Sequence, residues 1–154
     1  MKTRIVVDSS SNLYAMEGVD FASVPLKIIA DTEEYVDTAE LDAVAMAEAL
    51  RSHKGKTSTS CPNVRDWLAA YEGADRVFVL TITGALSGAY NAALLAGEEN
   101  QQENAGAQVF VFDSLSAGPE LALLAERVRD LVLAGKPFDE ICEALRAYHK
   151  HTHL

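Results

Sequence analysis

The sequence predicts one α/β domain, spanning 1–154, built on a mostly parallel β-sheet covered by helices on both faces. Three observations predict it. Runs such as Arg76–Ile82 and Gln108–Phe112 have the β-branched and apolar character of strands buried on both faces. Each leads into a turn rich in Ser, Thr and Gly, and then into a segment whose apolar residues recur at helical spacing. At 154 residues the chain can enclose one real core and is too short for two ordinary domains.

The elements follow in order. Thr3–Val7 reads as the first strand and ends in the hydroxyl-rich turn Asp8–Asn12. Val24–Ile29 reads as a second strand, with Pro25 favouring an edge or strand-start position, and Asp31–Glu34 turns it into a short Tyr35–Val36 segment as an edge hairpin. Asp37 and Glu40 have capping-box spacing before Leu41, Val44, Met46, Ala47 and Leu50, which predicts a helix over 39–52. Lys56–Pro62 reads as a second hydroxyl-rich turn, with Pro62 at the first helical position and Ser60 or Cys61 as the cap. Val64, Trp67, Leu68 and Tyr71 give the next helix its apolar face, and strand 76–82 follows.

Thr81–Tyr90 is the stretch around which the rest is arranged: strand, then Thr83, Gly84, Ser87 and Gly88, then an alanine-rich helix. Strand 108–112 runs into the turn Asp113–Gly118. Leu121, Leu124, Val128, Leu131 and Val132 define a helix stopped by Gly135, and Pro137 opens a last helix carrying Ile141, Leu145 and Tyr148.

Composition narrows the function. A formal charge of −10, with no basic stripe, argues against sequence-independent nucleic-acid binding. No segment approaches the roughly 18 apolar residues of a membrane span, and the amino terminus lacks a signal-peptide pattern, so stable membrane insertion is not expected and a cytoplasmic location is the default. Cys61 and Cys142 form neither a redox pair nor a zinc set. His149, His151 and His153 form a run at the chain end with no acidic or Cys ligand beside them, and no functional metal site or cofactor is expected.

A turn that opens a helix offers unpaired backbone N–H groups and a partial positive charge, so it can hold a small anion without Lys or Arg. Several such turns at strand ends can converge outside the carboxyl edge of a sheet. Polyphosphate binding has no motif behind it, because neither GxxxxGK[ST] nor GxGxxG occurs. A phosphatase-type aspartyl nucleophile at Asp8 would need a carboxylate two residues on, where Ser10 stands. Ser87 is not in a G-x-S-x-G elbow, since Leu86 precedes it and Gly88 follows. The alternative for Ser87 is a plain helix cap, and for Asp8 a loop anchor.

The ordered set Asp8–Leu13, Val24–Leu26, Tyr35–Asp37, Thr59–Pro62, Leu86–Tyr90 and Asp113–Gly118 resembles the amino-terminal domain of the DegV-like bacterial fatty-acid-binding proteins. The resemblance spans nearly the whole chain. It implies an α/β lobe that, with a second lobe, encloses one long-chain fatty acid and presents its carboxyl group to an ATP-dependent fatty-acid kinase, without catalysing the transfer itself. By the resemblance, Thr59 or Ser60 and Ser87 with the Gly88 amide bind the carboxylate. Asp8, Ser9 and Ser10, and Asp113, Ser114 and Ser116, shape or brace the site. Two departures stand out: Ala89 replaces a Thr usual in the family, and the sequence stops at Leu154, about where the carboxyl-terminal lobe should begin. The expectation is a fragment or natural half-protein with its acyl tunnel open on one side. The competing readings are a phosphoryl- or acyl-transfer enzyme using the same crevice, and an interaction domain that dimerises through surface left bare by the missing lobe.

Overall fold

Residues 1–152 are described in the computed structural model. The elements are β1 (Thr3–Asp8), a 3-10 turn at Ser9–Ser11, β2 (Asp20–Val24), β3 (Lys27–Ala30), β4 (Glu33–Val36), α1 (Ala43–Ser52), β5 (Thr57–Ser60), α2 (Val64–Tyr71), β6 (Arg76–Thr81), α3 (Ala89–Glu103), β7 (Gln108–Asp113), α4 (Pro119–Leu133) and α5 (Phe138–His149). Four strands form a wholly parallel sheet in the order β2-β1-β6-β7. The remaining three form a small antiparallel sheet, β4-β3-β5.

Alternation along the central strands divides the core in two. Ile5, Val7, Phe78 and Leu80 face α4 and α5, where Leu121, Leu124, Val128, Ile141 and Leu145 cover them. Val6, Val77 and Val79 face the other way, onto Trp67 and Tyr71 of α2 and Ala89, Ala93 and Ala96 of α3. The alanines let α3 lie close on the sheet: a Cβ on Gly97 would stand 3.2 Å from Val109 Cγ1. No helix among the described residues is long and apolar enough to cross a membrane.

The sheet departs from the sequence expectation at three places. Val24–Ile29 is not one strand: the chain leaves the main sheet at Val24, passes Pro25, which has no N–H to give a ladder, and joins the second sheet at Lys27. The hairpin to Tyr35 and Val36 is present, but on that second sheet. Thr57–Ser60 is an edge strand paired with Ala30–Lys27 rather than a turn, as β-branched Thr permits.

Two helix starts also move. Asp42, not Asp37, caps α1, its carboxylate accepting from Ala45 N at 2.9 Å. Asp37 instead accepts the Tyr14 hydroxyl at 2.7 Å, a bond that pushes the Tyr14 phenol up to about 12. Asn63, not Ser60 or Cys61, caps α2, in a reciprocal capping box with Asp66. Unlike the other four helices, α1 buries no residue.

The two thiols differ in access. Cys142 is buried in the α4–α5 core, and that burial pushes it up to about 11; Cys61 is only half-buried. Alkylation with iodoacetamide at pH 8, followed by peptide mass mapping, is expected to modify Cys61 and spare Cys142. Equal modification would show that the α4–α5 layer opens readily.

Candidate functional site

The chain leaves β1 toward β2 on one side of the sheet and leaves β6 toward β7 on the other. The reversal in strand order therefore lies between β1 and β6, where parallel sheets form a crevice beyond their carboxyl ends. Asp8 ends β1 at this point and is fully buried. Its Oδ2 accepts from Ile82 N at 2.5 Å, and its Oδ1 accepts from Ser10 N at 3.1 Å and from Ser10 Oγ at 2.5 Å. Burial raises the Asp8 pKa above the ordinary carboxylate value, and these donors only partly offset it. The carboxylate thus fastens the β1 loop to the β6 loop. Ser9, also buried, accepts from Leu26 N at 2.9 Å and so holds the crossing between the two sheets.

A second carboxylate does the same on the other side of β6. Asp113 Oδ1 and Oδ2 each lie 3.2 Å from Gly84 N, and Oδ1 also accepts from Leu115 N at 2.9 Å. Gly84 lets the two loops approach closely: a Cβ there would stand 3.1 Å from Asp113 Oδ2 and 3.2 Å from Tyr90 Cδ1, so one of these side chains would have to shift. Ser114 is buried, and its Oγ donates to Ser116 O at 3.0 Å and accepts from Ser116 N at 3.1 Å. Ser116 O in turn accepts from Thr83 N at 2.8 Å. Leu115 at the tip sits at φ 54, a left-handed conformation uncommon for Leu, which these bonds maintain.

Ser87 and Gly88 follow this braced loop and open α3. Gly88 is the cap position, and Ser87 Oγ accepts from Ala89 N at 3.2 Å. Ser87 therefore contributes to its helix start, while its hydroxyl proton can still be donated to an acceptor. The second sheet delivers its end to the same place: a Cβ on Gly88 would stand 3.2 Å from Cys61 Sγ. Thr59 precedes Cys61 by two residues on β5 and is exposed; Ser60 is half-buried, with Oγ 3.4 Å from Cys61 O. Leu86 and Leu115, 80% and 68% exposed, add apolar surface at the rim.

The structure thus brings together three adjoining hydrogen-bonded sets beside Ser87 and Gly88: Asp8 with Ser10 and Ile82, Asp113 with Gly84, and Ser114 with Ser116 and Thr83. Chemically this is a scaffold of hydroxyls and helix-start amides, with both carboxylates occupied as acceptors of loop amides. His149 lies in α5 and contacts the Ser114 set, a role that the sequence reading missed. Its signal was present: Ile141, Leu145 and His149 stand four residues apart on one helix face. His153 of the chain-end run lies outside the described residues.

A model of the DegV family, described as an uncharacterised protein family, matches residues 2–154. The chain belongs to the DegV family. A DegV domain-containing protein of Streptococcus pneumoniae is 37% identical over 158 residues, an alignment covering all of this chain and 56% of that protein. Among solved structures, this DegV chain is similar to the Streptococcus pneumoniae fatty acid kinase B3 protein loaded with linoleic acid, with a TM-score of 0.95, 37% identity and coverage of 97% of this chain and 55% of that one. It is also similar to a DegV family protein from Eubacterium eligens loaded with heptadecanoic acid, with a TM-score of 0.94, 38% identity and coverage of 96% and 54%. The chain spans about half the length of the relatives it matches.

The close approach at Gly88 yields a direct expectation. Gly88→Ala keeps an allowed backbone, since φ is −71, but presses a methyl against Cys61 Sγ at 3.2 Å. Stability should change by less than about 1 kcal/mol, while any ligand bound over the helix start loses affinity. Thermal unfolding and a binding titration on the same variant separate the two effects; unchanged binding would show that no ligand packs over the Cα of residue 88.

Proposed function

We propose that this DegV chain is the lobe that binds the carboxylate of a long-chain fatty acid, as a non-catalytic lipid-binding component that presents the acid to an ATP-dependent fatty-acid kinase. Thr59 or Ser60 and Ser87 with the Gly88 amide are the proposed head-group ligands. The loops of Asp8, Ser9 and Ser10 and of Asp113, Ser114 and Ser116 brace them. The observation that carries this reading is the placement of Ser87 and the α3 start beside the switch point, with the end of β5 against Gly88. A carboxylate there gains charge-assisted hydrogen bonds and the helix-start field without a cationic side chain. The fatty acids carried by the Streptococcus and Eubacterium relatives support the same ligand class.

Asp8 favours this reading over phosphoryl or acyl transfer, because the carboxylate is enclosed and both oxygens are taken by loop donors. No cofactor and no nucleic acid enter the proposal. A second lobe, supplied by a longer chain, completes the acyl tunnel, and the cytoplasm is the compartment where a kinase would find ATP.

Titration with sodium oleate and with methyl oleate tests the head-group assignment. The acid is expected to bind and the ester, with no carboxylate, to bind at least tenfold more weakly, the difference of about one charge-assisted hydrogen bond. Equal binding of the two would refute a carboxylate site. The 154-residue chain alone should bind less tightly than a two-lobed protein, because it spans only about half the length of the relatives that carry a fatty acid. Oleate should also slow alkylation of Cys61, which sits against Gly88.

A further inference from the structure

The last turn of α5 reaches the crevice. His149 is on the apolar face continued from Ile141 and Leu145, its ring edge-on to Phe112 with centroids 5.1 Å apart. Nε2 lies 2.7 Å from Ser114 O and 3.6 Å from Glu120 Oε1. Both are acceptors, so Nε2 carries the proton and donates. Glu120, in the first turn of α4, also accepts from Thr152 Oγ1 at 2.6 Å, which ties the residues just after α5 into the same cluster.

From Ser114 the bonds run without interruption to the α3 start. Ser114 N donates to Thr81 O at 3.2 Å, and Ser114 Oγ bonds both the N–H and the carbonyl of Ser116. Ser116 O accepts from Thr83 N at 2.8 Å, and Thr83 O accepts from Leu86 N at 3.1 Å and from Ser87 N at 3.2 Å. The same turn holds Leu115 in its left-handed conformation. A turn carrying such a residue relaxes when one of its fixing bonds is lost.

We propose that His149 is a positioning residue for the crevice: its Nε2–H holds the Ser114 carbonyl and, through Ser114, Ser116 and Thr83, sets the backbone position of Ser87. The first histidine of the chain-end run thereby acts on the crevice through the Ser114 carbonyl. The ligand arm of this proposal rests on the reading of Ser87 given above; the relay itself does not.

Two variants separate the hydrogen bond from the ring. His149→Phe keeps an aromatic ring against Phe112 and removes the donor. His149→Gln removes the ring and keeps an N–H near the position of Nε2. Amide hydrogen exchange by NMR on the full chain should be about tenfold faster at Ser114, Thr83 and Ser87 in His149→Phe, the effect of one buried hydrogen bond, with β1 amides unchanged. His149→Gln should stay near the parent. The opposite pattern, no change in either variant, or equal acceleration in β1 would overturn the relay. Oleate affinity should fall in His149→Phe and hold in His149→Gln; faster exchange at unchanged affinity would overturn the positioning role. A parent chain that binds no oleate refutes the ligand reading, and the exchange pattern still decides the relay.

Discussion

Asp8→Ala is expected to destabilise the protein by about 2–4 kcal/mol, because it strands the Ile82 and Ser10 amides at the end of the sheet. Each abandoned buried donor costs about 1–3 kcal/mol, and release of the desolvated carboxylate offsets part of the loss. The pH dependence distinguishes the carboxylate from the space it fills. Burial raises the folded-state pKa of Asp8 above the ordinary value of 3.8, so between these two values the folded chain holds a proton that the unfolded chain has released. Stability from this group is therefore fully present below 3.8, falls as pH rises through the raised value, and is flat above it. Denaturant midpoints measured across that window in the parent and in Asp8→Asn should diverge by this falling step, which the amide lacks. Parallel curves would mean that Asp8 titrates normally.

Ser87→Ala combined with Thr59→Ala, in a two-lobed protein carrying this lobe, is expected to weaken fatty-acid retention by about thirtyfold or more. Each lost hydroxyl leaves a carboxylate oxygen without a partner, at roughly 1–3 kcal/mol, and about 1.4 kcal/mol is tenfold in affinity. The contributions should be unequal. Ser87 is half-buried at a helix start, whereas Thr59 is exposed on an edge strand and gains its partner only when the crevice is covered. Folding should suffer little, since Ser87 forfeits one 3.2 Å bond to Ala89 N and the Thr59 side chain makes no hydrogen bond among the described residues. Competitive displacement of a fluorescent fatty acid gives both single effects and the pair. Full retention in the double variant would move the head group elsewhere.

The parallel core was readable because both faces of β1, β6 and β7 are covered, which writes the strands as unbroken apolar runs. The second sheet was not. Lys27–Ala30 continues the apolar character of Val24 across Pro25, so the change of sheet leaves no mark in hydropathy, and Thr57–Ser60 is too polar to read as a strand until Ile28 pairs with Thr59. Asp20–Val24 mixes polar and apolar residues, so only its last residue, Val24, reads as part of a strand in the sequence. At the site, Ser87 and Gly88 were visible from local turn chemistry. The contacts of Asp8 with Ile82, Asp113 with Gly84 and His149 with Ser114 join residues 29 to 74 positions apart. No local pattern contains them, and Cys61 against Gly88 depends on the unexpected sheet.

The insertion of β6 between β1 and β7 also sets an order of assembly. β1 can pair with β2 within the first 24 residues, but its other edge stays open until Arg76–Thr81 has been synthesised. Until then the Asp8 carboxylate has no Ile82 amide, 74 residues downstream, and the β1 edge offers unpaired backbone to any strand nearby. Such long-range parallel pairing closes slowly. The crevice is therefore a late product of folding, and a nascent chain halted before β6 is the form most exposed to mispairing.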